Sequence, residues 1–331
     1  MRAALHDTFG DPTQVLRAGE VALPEPGAGE VRIRTVLAPI HNHDLWTVRG
    51  QYGYKPELPA VGGSEGTGVI DALGEGVTGL QIGQRVSAAS VHGSWAEAFI
   101  APARMVIPMP DAIDDQTAAQ LIAMPLSALM LLEFLQVERG QWIVQNAANG
   151  AVGKALAMLA RARGVHCLNL VRRDDGVAEM QALGIEHTYS TAQADWLDQV
   201  KAALGEGGAV AAVDSVGGRA SGELVSLLGE GGTLVSFGSM TGEPMQIGSG
   251  DVIFKQATIK GFWGSKVSQD MAPEKKRRLV GELLKLAAEG GLSLPVDGVF
   301  GLDQVAEAAK ASLQPGRNGK VLLRPTIPGH W

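Results

Sequence analysis

The clearest pattern of apolar and polar positions lies in residues 141–239, where short β-branched apolar runs alternate with segments of helical period. Strands linked in this way by helices are typical of a parallel sheet. Since the helices of such units cover both faces of the sheet, we expect an α/β domain with a doubly wound sheet. The pattern predicts strands over 142–146, 165–171, 209–214, 233–237 and 258–262, and helices over 153–163 and 219–228.

The segments on either side of this block have a different pattern of apolar and polar positions. The first hundred or so residues contain strands at 31–36 and 68–73 that are separated by glycine and proline turns, which predicts an irregular β-rich domain. After the block, an amphipathic helix over 273–289 precedes a strand, a helix and a strand at 296–299, 302–313 and 320–323. These last pieces are too few for a third domain, so we expect them to complete the first one.

The expected domain organisation follows from these patterns. Residues 1–126 and 266–331 form the β-rich catalytic domain, and residues 127–265 form the doubly wound dinucleotide-binding domain. Small molecules commonly bind in a cleft between two such domains.

Composition narrows the class of protein. The 331 residues carry a formal net charge of −7 without a long basic run, so a nucleic-acid partner is not expected. One cysteine, Cys167, allows neither an internal disulfide nor a four-thiolate zinc lobe. With no leader-like or membrane-spanning apolar run, we expect a cytoplasmic enzyme without membrane contact.

A glycine-containing turn follows the first strand of the doubly wound domain. The residues Ala147-Ala148-Asn149-Gly150-Ala151-Val152-Gly153 resemble the G-x-G-x-x-G turn of dinucleotide-binding domains, with Ala148 in the first glycine place. Gly150 would let backbone approach a pyrophosphate, and Gly153 would let helix and strand pack closely. The helix N-terminus then faces the anion with free N–H groups. The alternative is a turn that serves only strand-to-helix packing.

The end of the second strand bears on the choice of nucleotide. Arg172 and Arg173 follow this strand directly, before Asp174 and Asp175. An acidic residue here usually holds the ribose of NAD, whereas arginine accommodates a 2′-phosphate. The sequence therefore favours NADPH, although both arginines could instead be solvated loop charges balanced by the aspartates.

Two further turns end strands of the same sheet, where ligands of open parallel sheets bind. Ser215-Val216-Gly217-Gly218 follows one strand, and Gly238-Ser239 follows the next. Each could equally be an ordinary glycine turn.

Several segments, in the same order over nearly the whole chain, resemble the 2-enoyl thioester reductases of the medium-chain dehydrogenase/reductase superfamily. They are Arg49-Gly50-Gln51-Tyr52-Gly53, Pro56-Glu57-Leu58-Pro59-Ala60-Val61-Gly62-Gly63, Val144-Gln145-Asn146-Ala147, Val171-Arg172, Val216-Gly217-Gly218, Phe254-Lys255 and Gly261-Phe262-Trp263. The resemblance implies a Rossmann domain joined to a GroES-like catalytic domain.

The resemblance also implies roles for individual residues. Tyr52 occupies the place of the family's catalytic tyrosine, with Tyr54 as a second tyrosine close by, and Trp263 falls near the acyl pocket. Ser127 takes the place of a threonine beside the nicotinamide, while Met124 stands where the family usually has an asparagine. The implied cofactor-binding set is Ser127, Asn146, Ala148, Gly150, Val152, Gly153, Arg172, Arg173 and Gly238.

The ligands of the zinc-dependent relatives are missing. Where zinc alcohol dehydrogenases carry cysteine, histidine and cysteine, this chain has His41, Ser64 and the segment that begins at Ala123. A set of His41, Glu65 and His43 could hold a metal, but structural hydrogen bonding explains these residues as well. We expect no metal.

The expected function is therefore zinc-independent, NADPH-dependent reduction of the conjugated C=C bond of a 2-enoyl thioester, a small-molecule substrate. The alternatives are an NADPH:quinone oxidoreductase and a dinucleotide-binding protein with little activity. An edge strand over 258–262 could pair across a two-fold axis, as in similar enzymes, which predicts a homodimer.

Overall fold

The computed structural model describes residues 1–326, and these divide into two compact units. The first contains Met1–Ala123 and the chain from Leu284 onward, and the second contains Met124–Leu283. The sequence analysis assigned residues 266–283 to the first domain. In the structure Glu282 and Lys275 of this segment form ion pairs with Arg163 and Glu133, which belong to the second unit.

The N-terminal part of the first unit is rich in antiparallel strands. Its helices are short, and two of the three begin at side-chain caps, for example where Asp114 accepts a hydrogen bond from the N–H of Thr117. The strands are β1 (Arg2–His6), β2 (Arg17–Glu20), β3 (Glu30–Pro39), β4 (Ala60–Val61), β5 (Glu65–Leu73), β6 (Arg85–Ala89), β7 (Ala98–Pro102) and β8 (Ile107–Pro108). The helices are α1 (Pro12–Val15), α2 (Asn42–Val48) and α3 (Asp115–Gln120), with a 3-10 turn at Ala103–Met105.

The second unit is built on a parallel sheet. Its helices are α4 (Ala123–Leu135), α5 (Ala151–Ala162), α6 (Asp174–Ala182), α7 (Trp196–Leu204), α8 (Arg219–Leu227), α9 (Ser249–Lys255), α10 (Gly264–Asp270) and α11 (Pro273–Ala288). Its strands are β9 (Trp142–Gln145), β10 (His166–Val171), β11 (Thr188–Ser190), β12 (Ala209–Asp214), β13 (Leu228–Ser236) and β14 (Thr258–Gly261).

The order of the six parallel strands is β11-β10-β9-β12-β13-β14. The chain reverses its direction of travel across the sheet between β9 and β12, which is the switch point where open α/β sheets bind ligands. Ile143, Val144 and Leu168 in the central strands are fully buried. The doubly wound sheet predicted from the sequence is confirmed.

The C-terminal segment adds two strands to the first unit. These are β15 (Val296–Gly301) and β16 (Lys320–Arg324), joined by a 3-10 turn (Leu302–Gln304) and helix α12 (Val305–Leu313). Strand β16 pairs with β3 in a sheet ordered β15-β16-β3-β5-β6-β8, and β7 also pairs with β3. Val321, Leu322 and Leu323 are fully buried, so the segment is part of the core of the first unit.

Candidate active site

The turn after β9 has the shape that the glycine pattern predicts. Ala147 adopts a positive φ of 48°, and the N–H of Ala148 donates to the carbonyl of Leu170 in β10. A side chain at Gly153 would meet the carbonyl oxygen of Ala148 at 2.4 Å, so close packing explains this glycine. At Gly150 a Cβ would meet only the oxygen of Ala147, at 3.4 Å. Packing within the protein therefore does not explain Gly150.

Most of the residues predicted to bind cofactor lie along one edge of this sheet. Arg172 and Arg173 follow β10, and Gly238 follows β13 by one residue after Phe237. Asn146, which follows β9, bridges to β12, since its amide donates to Asp214 and its oxygen accepts from the N–H of Ser215. Val152 lies in the first turn of α5. Ser127 lies in helix α4 and does not follow a strand.

The two arginines differ in their partners. Arg173 forms an exposed ion pair with Asp175, with 3.4 Å between Nε and Oδ1. Arg172 is exposed and pairs with no acidic side chain of the described residues. Asp175 therefore balances the charge of Arg173, whereas the guanidinium of Arg172 is available to bind an anion. The open space beside Gly150 fits the pyrophosphate of a dinucleotide, and the guanidinium of Arg172 fits a 2′-phosphate.

A cavity of about 210 Å³ lies in the first unit. Tyr52 and Tyr54, on the loop after α2, are half exposed and line it. The ring of Tyr52 stacks on His43 with centroids 5.7 Å apart, and the ring of Tyr54 stacks on His92 at 4.0 Å. Two aromatic pairs therefore line one cavity.

A chain of hydrogen bonds beside the cavity holds His43 in place. Helix α2 begins at Asn42, and Asp44 in its first turn accepts from the backbone N–H of His41. The other carboxylate oxygen of Asp44 lies 2.6 Å from Ser64 Oγ, and Ser64 Oγ lies 2.8 Å from Nε2 of His43. Since the single hydroxyl proton of Ser64 is donated to Asp44, His43 must donate through Nε2–H.

Deeper in the same unit, Glu65 lies fully buried at the start of β5. One of its oxygens accepts from the N–H groups of Ile122 and Ala123 at 2.9 and 2.8 Å, and the other lies 2.6 Å from Nε2 of His41. Burial raises the pKa of Glu65 to about 7 and lowers the pKa of His41 well below its ordinary value. Burial also lowers the pKa of Lys320 to about 8. The hydrogen bonds of Glu65 therefore tie Ile122 and Ala123 to β5 within the first unit.

The residues at the zinc-ligand places do not fit a catalytic zinc ion. His41 uses Nε2 for Glu65, Ser64 uses its hydroxyl for Asp44 and His43, and Ala123 offers only a methyl group. Within residues 1–326, no group of three or more His, Cys, Asp and Glu side chains is arranged to hold a metal ion.

Trp263 lies just beyond β14, at the start of α10, and is 71% exposed. It belongs to the second unit, whereas Tyr52 belongs to the first. The side chains of Tyr52, His43 and Ser64 come together in the first unit. The predicted cofactor residues other than Ser127 follow strand ends or lie in the first turn of α5 in the second unit.

The sequence indicates only part of this arrangement. It marks His43 only as a possible metal ligand and does not single out His92 or Lys320. The signal for His43 is its place in His41-Asn42-His43-Asp44, where His41 is the N-cap of a helix and Asp44, at the third helical position, accepts from the N–H of His41. No local pattern marks His92, because it reaches the cavity from the loop after β6.

Together, the switch point, the glycine turn and the cavity lined by aromatic rings define a two-unit oxidoreductase fold. The chain matches the family described as alcohol dehydrogenase GroES-like domain over residues 27–111, and the one described as zinc-binding dehydrogenase over residues 151–280. It belongs to the medium-chain dehydrogenase/reductase family of oxidoreductases. The predicted family, fold class and enzyme class are thereby confirmed.

Some similar proteins are named as enoyl reductases and others as quinone oxidoreductases. The chain is 32% identical to the human mitochondrial enoyl-[acyl-carrier-protein] reductase, over 98% of this chain and 88% of that protein. A mycobacterial quinone oxidoreductase has a similar structure, with a TM-score of 0.88, 26% identity and coverage of 98% and 100%. A mycobacterial protein solved in complex with NADPH has a TM-score of 0.84, at the same identity and coverage.

Two observations bear on location. In residues 1–326 no helix has the length and apolar character needed to span a bilayer. The human relative is described as mitochondrial, so the cytoplasmic location expected from the sequence stays a prediction.

Proposed function

We propose that this protein reduces the conjugated C=C bond of a 2-enoyl thioester with NADPH. The observation that carries the proposal is Tyr52, a phenol without a hydrogen-bond partner among the described residues that lines the cavity of the first unit. The name of the human relative, an enoyl reductase 32% identical over 98% of this chain, supports the same reaction.

The residues at the edge of the parallel sheet would hold the cofactor. Backbone at Gly150 and the N–H groups of the first turn of α5 would bind the pyrophosphate, and Arg172 would bind the 2′-phosphate. The structural neighbour in complex with NADPH supports this cofactor. When bound, NADPH supplies the hydride that is added to Cβ of the substrate.

Tyr52 would stabilise the charge that develops on the thioester oxygen. A phenol is a hydrogen-bond donor while it stays protonated, and its reference pKa is about 10. The ring is fixed by its stack on His43, so its hydroxyl is oriented before the substrate binds. Trp263, which is exposed after β14, would contact the acyl group.

Quinone reduction is a second candidate because two stacked aromatic pairs line the cavity. Tyr52, His43, Tyr54 and His92 could stack on a flat bicyclic acceptor. The mycobacterial neighbour described as a quinone oxidoreductase supports this alternative.

A panel of crotonyl-CoA, 1,4-naphthoquinone and simple aldehydes under NADPH tests the proposal. We expect the highest kcat/KM for crotonyl-CoA. A higher kcat/KM for the quinone would establish the second candidate. Tight binding of NADPH without turnover of any acceptor would instead indicate a dinucleotide-binding protein with little activity.

We expect Arg172→Ala to raise the KM for NADPH at least tenfold. One charge-assisted contact to a phosphate contributes about 1.5–3 kcal/mol, and about 1.4 kcal/mol corresponds to a factor of ten. The KM for NADH should hardly change, because NADH lacks this phosphate. Steady-state kinetics with both nucleotides measure the effect. Arg173→Ala is the matched control, since Arg173 pairs with Asp175. A wild-type preference for NADH would contradict the assignment.

The purified enzyme should be active without zinc. The three ligand places hold His41, Ser64 and Ala123, of which two cannot bind zinc as the family's zinc enzymes do. Elemental analysis and kinetics after exhaustive chelation test this expectation. Stoichiometric zinc whose removal abolishes turnover would overturn it.

A homodimer is proposed from the edge of the parallel sheet. Strand β14 is outermost and all four of its residues are exposed, while Ile253 and Phe254 in α9 are 65% and 86% exposed. Light scattering should give twice the 34.6 kDa mass of the chain. Ile253→Glu should shift the protein toward monomer, whereas Ile82→Glu, at an equally exposed site in the first unit, should not. A monomeric wild type would refute the dimer.

A further inference from the structure

We propose that His43 is the proton donor to Cα of the substrate, held in place by Ser64 and Asp44. The proposal rests on the proposed enoyl reduction, which requires a proton at Cα after hydride has reached Cβ. His43 lines the same cavity as Tyr52 and is in ring contact with it at 5.7 Å. A donor at this place is therefore next to the group that holds the thioester oxygen.

The hydrogen bonds leave one nitrogen of His43 for this task. Nε2 is used by Ser64, and Asp44 Oδ1 lies 3.5 Å away, within ion-pair distance of the ring when it is protonated. Within residues 1–326, Nδ1 of His43 has no hydrogen-bond partner. The side chain is 28% exposed, so water can reach it. A ring that is anchored through one nitrogen and open at the other is suited to general acid catalysis.

The other histidines of the region are placed differently. Nε2 of His41 is bonded to Glu65 and its side chain is 1% exposed, so it exchanges no proton with the cavity directly. His92 stacks on Tyr54 and has no anchoring hydrogen bond in the part of the chain that the structure describes. His6 also lines the cavity, but it is 1% exposed and its Nδ1 lies 3.0 Å from the carbonyl oxygen of Thr8. His43 alone among these four is both anchored and accessible.

The proton moves from Nδ1 of His43 to Cα of the substrate after the hydride has been added. Hydride addition to Cβ gives an enolate whose oxygen is held by Tyr52. The electron pair of the enolate then forms a C–H bond at Cα with the proton on Nδ1 of protonated His43, and the N–H electron pair stays on the ring. The thioester carbonyl is restored, and His43 is left neutral with its remaining proton on Nε2, donated to Ser64. Nδ1 then takes up one proton from the bulk solvent before the next turnover, and this is the proton that the overall reduction consumes.

The test follows the proton in D₂O, with crotonyl-CoA and NADPH as substrates. The wild-type product should carry one deuterium at Cα in a single configuration. His43→Gln should lower kcat about 100-fold, in line with the loss of a general acid, and should give product of mixed configuration at Cα. The KM for NADPH should stay within about twofold, which would show that the second unit is folded.

Two further variants complete the test. Ser64→Ala keeps the ring but removes its anchor, and it should give a smaller loss of kcat with partial mixing at Cα. His92→Gln should keep the single configuration whatever its rate. If His43→Gln keeps the wild-type kcat and the single configuration at Cα, the role of His43 is overturned but the proposed function is not. Mixed configuration in His92→Gln together with a single configuration in His43→Gln would have the same consequence. A wild-type enzyme that does not reduce crotonyl-CoA would overturn the proposed function and this proposal together.

Discussion

Tyr52→Phe should lower kcat for crotonyl-CoA about 100- to 1,000-fold, because in the proposed reaction the site loses the donor to the developing oxyanion. Removal of one such donor typically raises the activation free energy by roughly 2.7–4 kcal/mol. The ring and its stack on His43 remain, so thermal stability should change little. The Kd for NADPH should also hold, since Gly150 and Arg172 lie in the second unit.

Tyr54→Phe is the matched control for this experiment. Tyr54 lines the same cavity and is exposed to a similar degree, 41% against 46% for Tyr52. It stacks on His92, and we expect its hydroxyl to contribute less than tenfold. If Tyr54→Phe loses activity and Tyr52→Phe keeps it, the catalytic tyrosine is Tyr54. Full activity in both variants would exclude a tyrosine as the oxyanion donor.

Glu65→Ala should reduce the free energy of unfolding by about 3–5 kcal/mol, the range found when one partner of a buried polar pair is removed. The backbone N–H groups of Ile122 and Ala123 lose their acceptor, and Nε2 of His41 loses its partner. Since domains of this kind unfold with about 5–15 kcal/mol, the variant would be close to unfolding at 37 °C. Urea denaturation followed by circular dichroism measures the loss.

Glu65→Gln separates the effect of charge from that of hydrogen bonding. Its amide oxygen can still accept from Ile122 and Ala123, so the loss should be smaller than in the alanine variant. The pKa of Glu65 is raised from 4.5 to about 7, so its contribution to stability is present below pH 4.5 and is lost as the pH rises through 7. Wild type should therefore lose about 3 kcal/mol relative to Glu65→Gln over this interval. A difference that does not vary with pH would contradict the raised pKa.

The sequence was sufficient for the doubly wound sheet because periodicity reports burial directly. Strand β12 was predicted with the observed bounds, and β9 and β10 within one residue. The turn at Gly150 was also predictable, since it stands between a predicted strand and a predicted helix, which is the context of the dinucleotide-binding turn. Strand β13 begins at Leu228, five residues before the predicted start, because its first half is glycine-rich and lacks the apolar alternation.

The candidate site was less predictable because its contacts join distant segments. Ser64 and His43 lie 21 positions apart, and Glu65 reaches Ala123 over 58 positions. Such pairs depend on the register of β5 and the start of α2, which local patterns do not determine. Resemblance to a family singled out Tyr52, but His43 stands out only when the structure brings it to Tyr52.

The most direct test of the proposed reaction is to locate deuterium in the product formed from crotonyl-CoA. The NADPH used carries deuterium at the transferable position of C4 of the nicotinamide. Mass spectrometry and proton NMR locate the label. Enoyl reduction predicts butyryl-CoA with one deuterium at Cβ and none at Cα, formed with a higher kcat/KM than the reduction of 1,4-naphthoquinone. Unchanged crotonyl-CoA beside rapid reduction of the quinone would contradict the proposal.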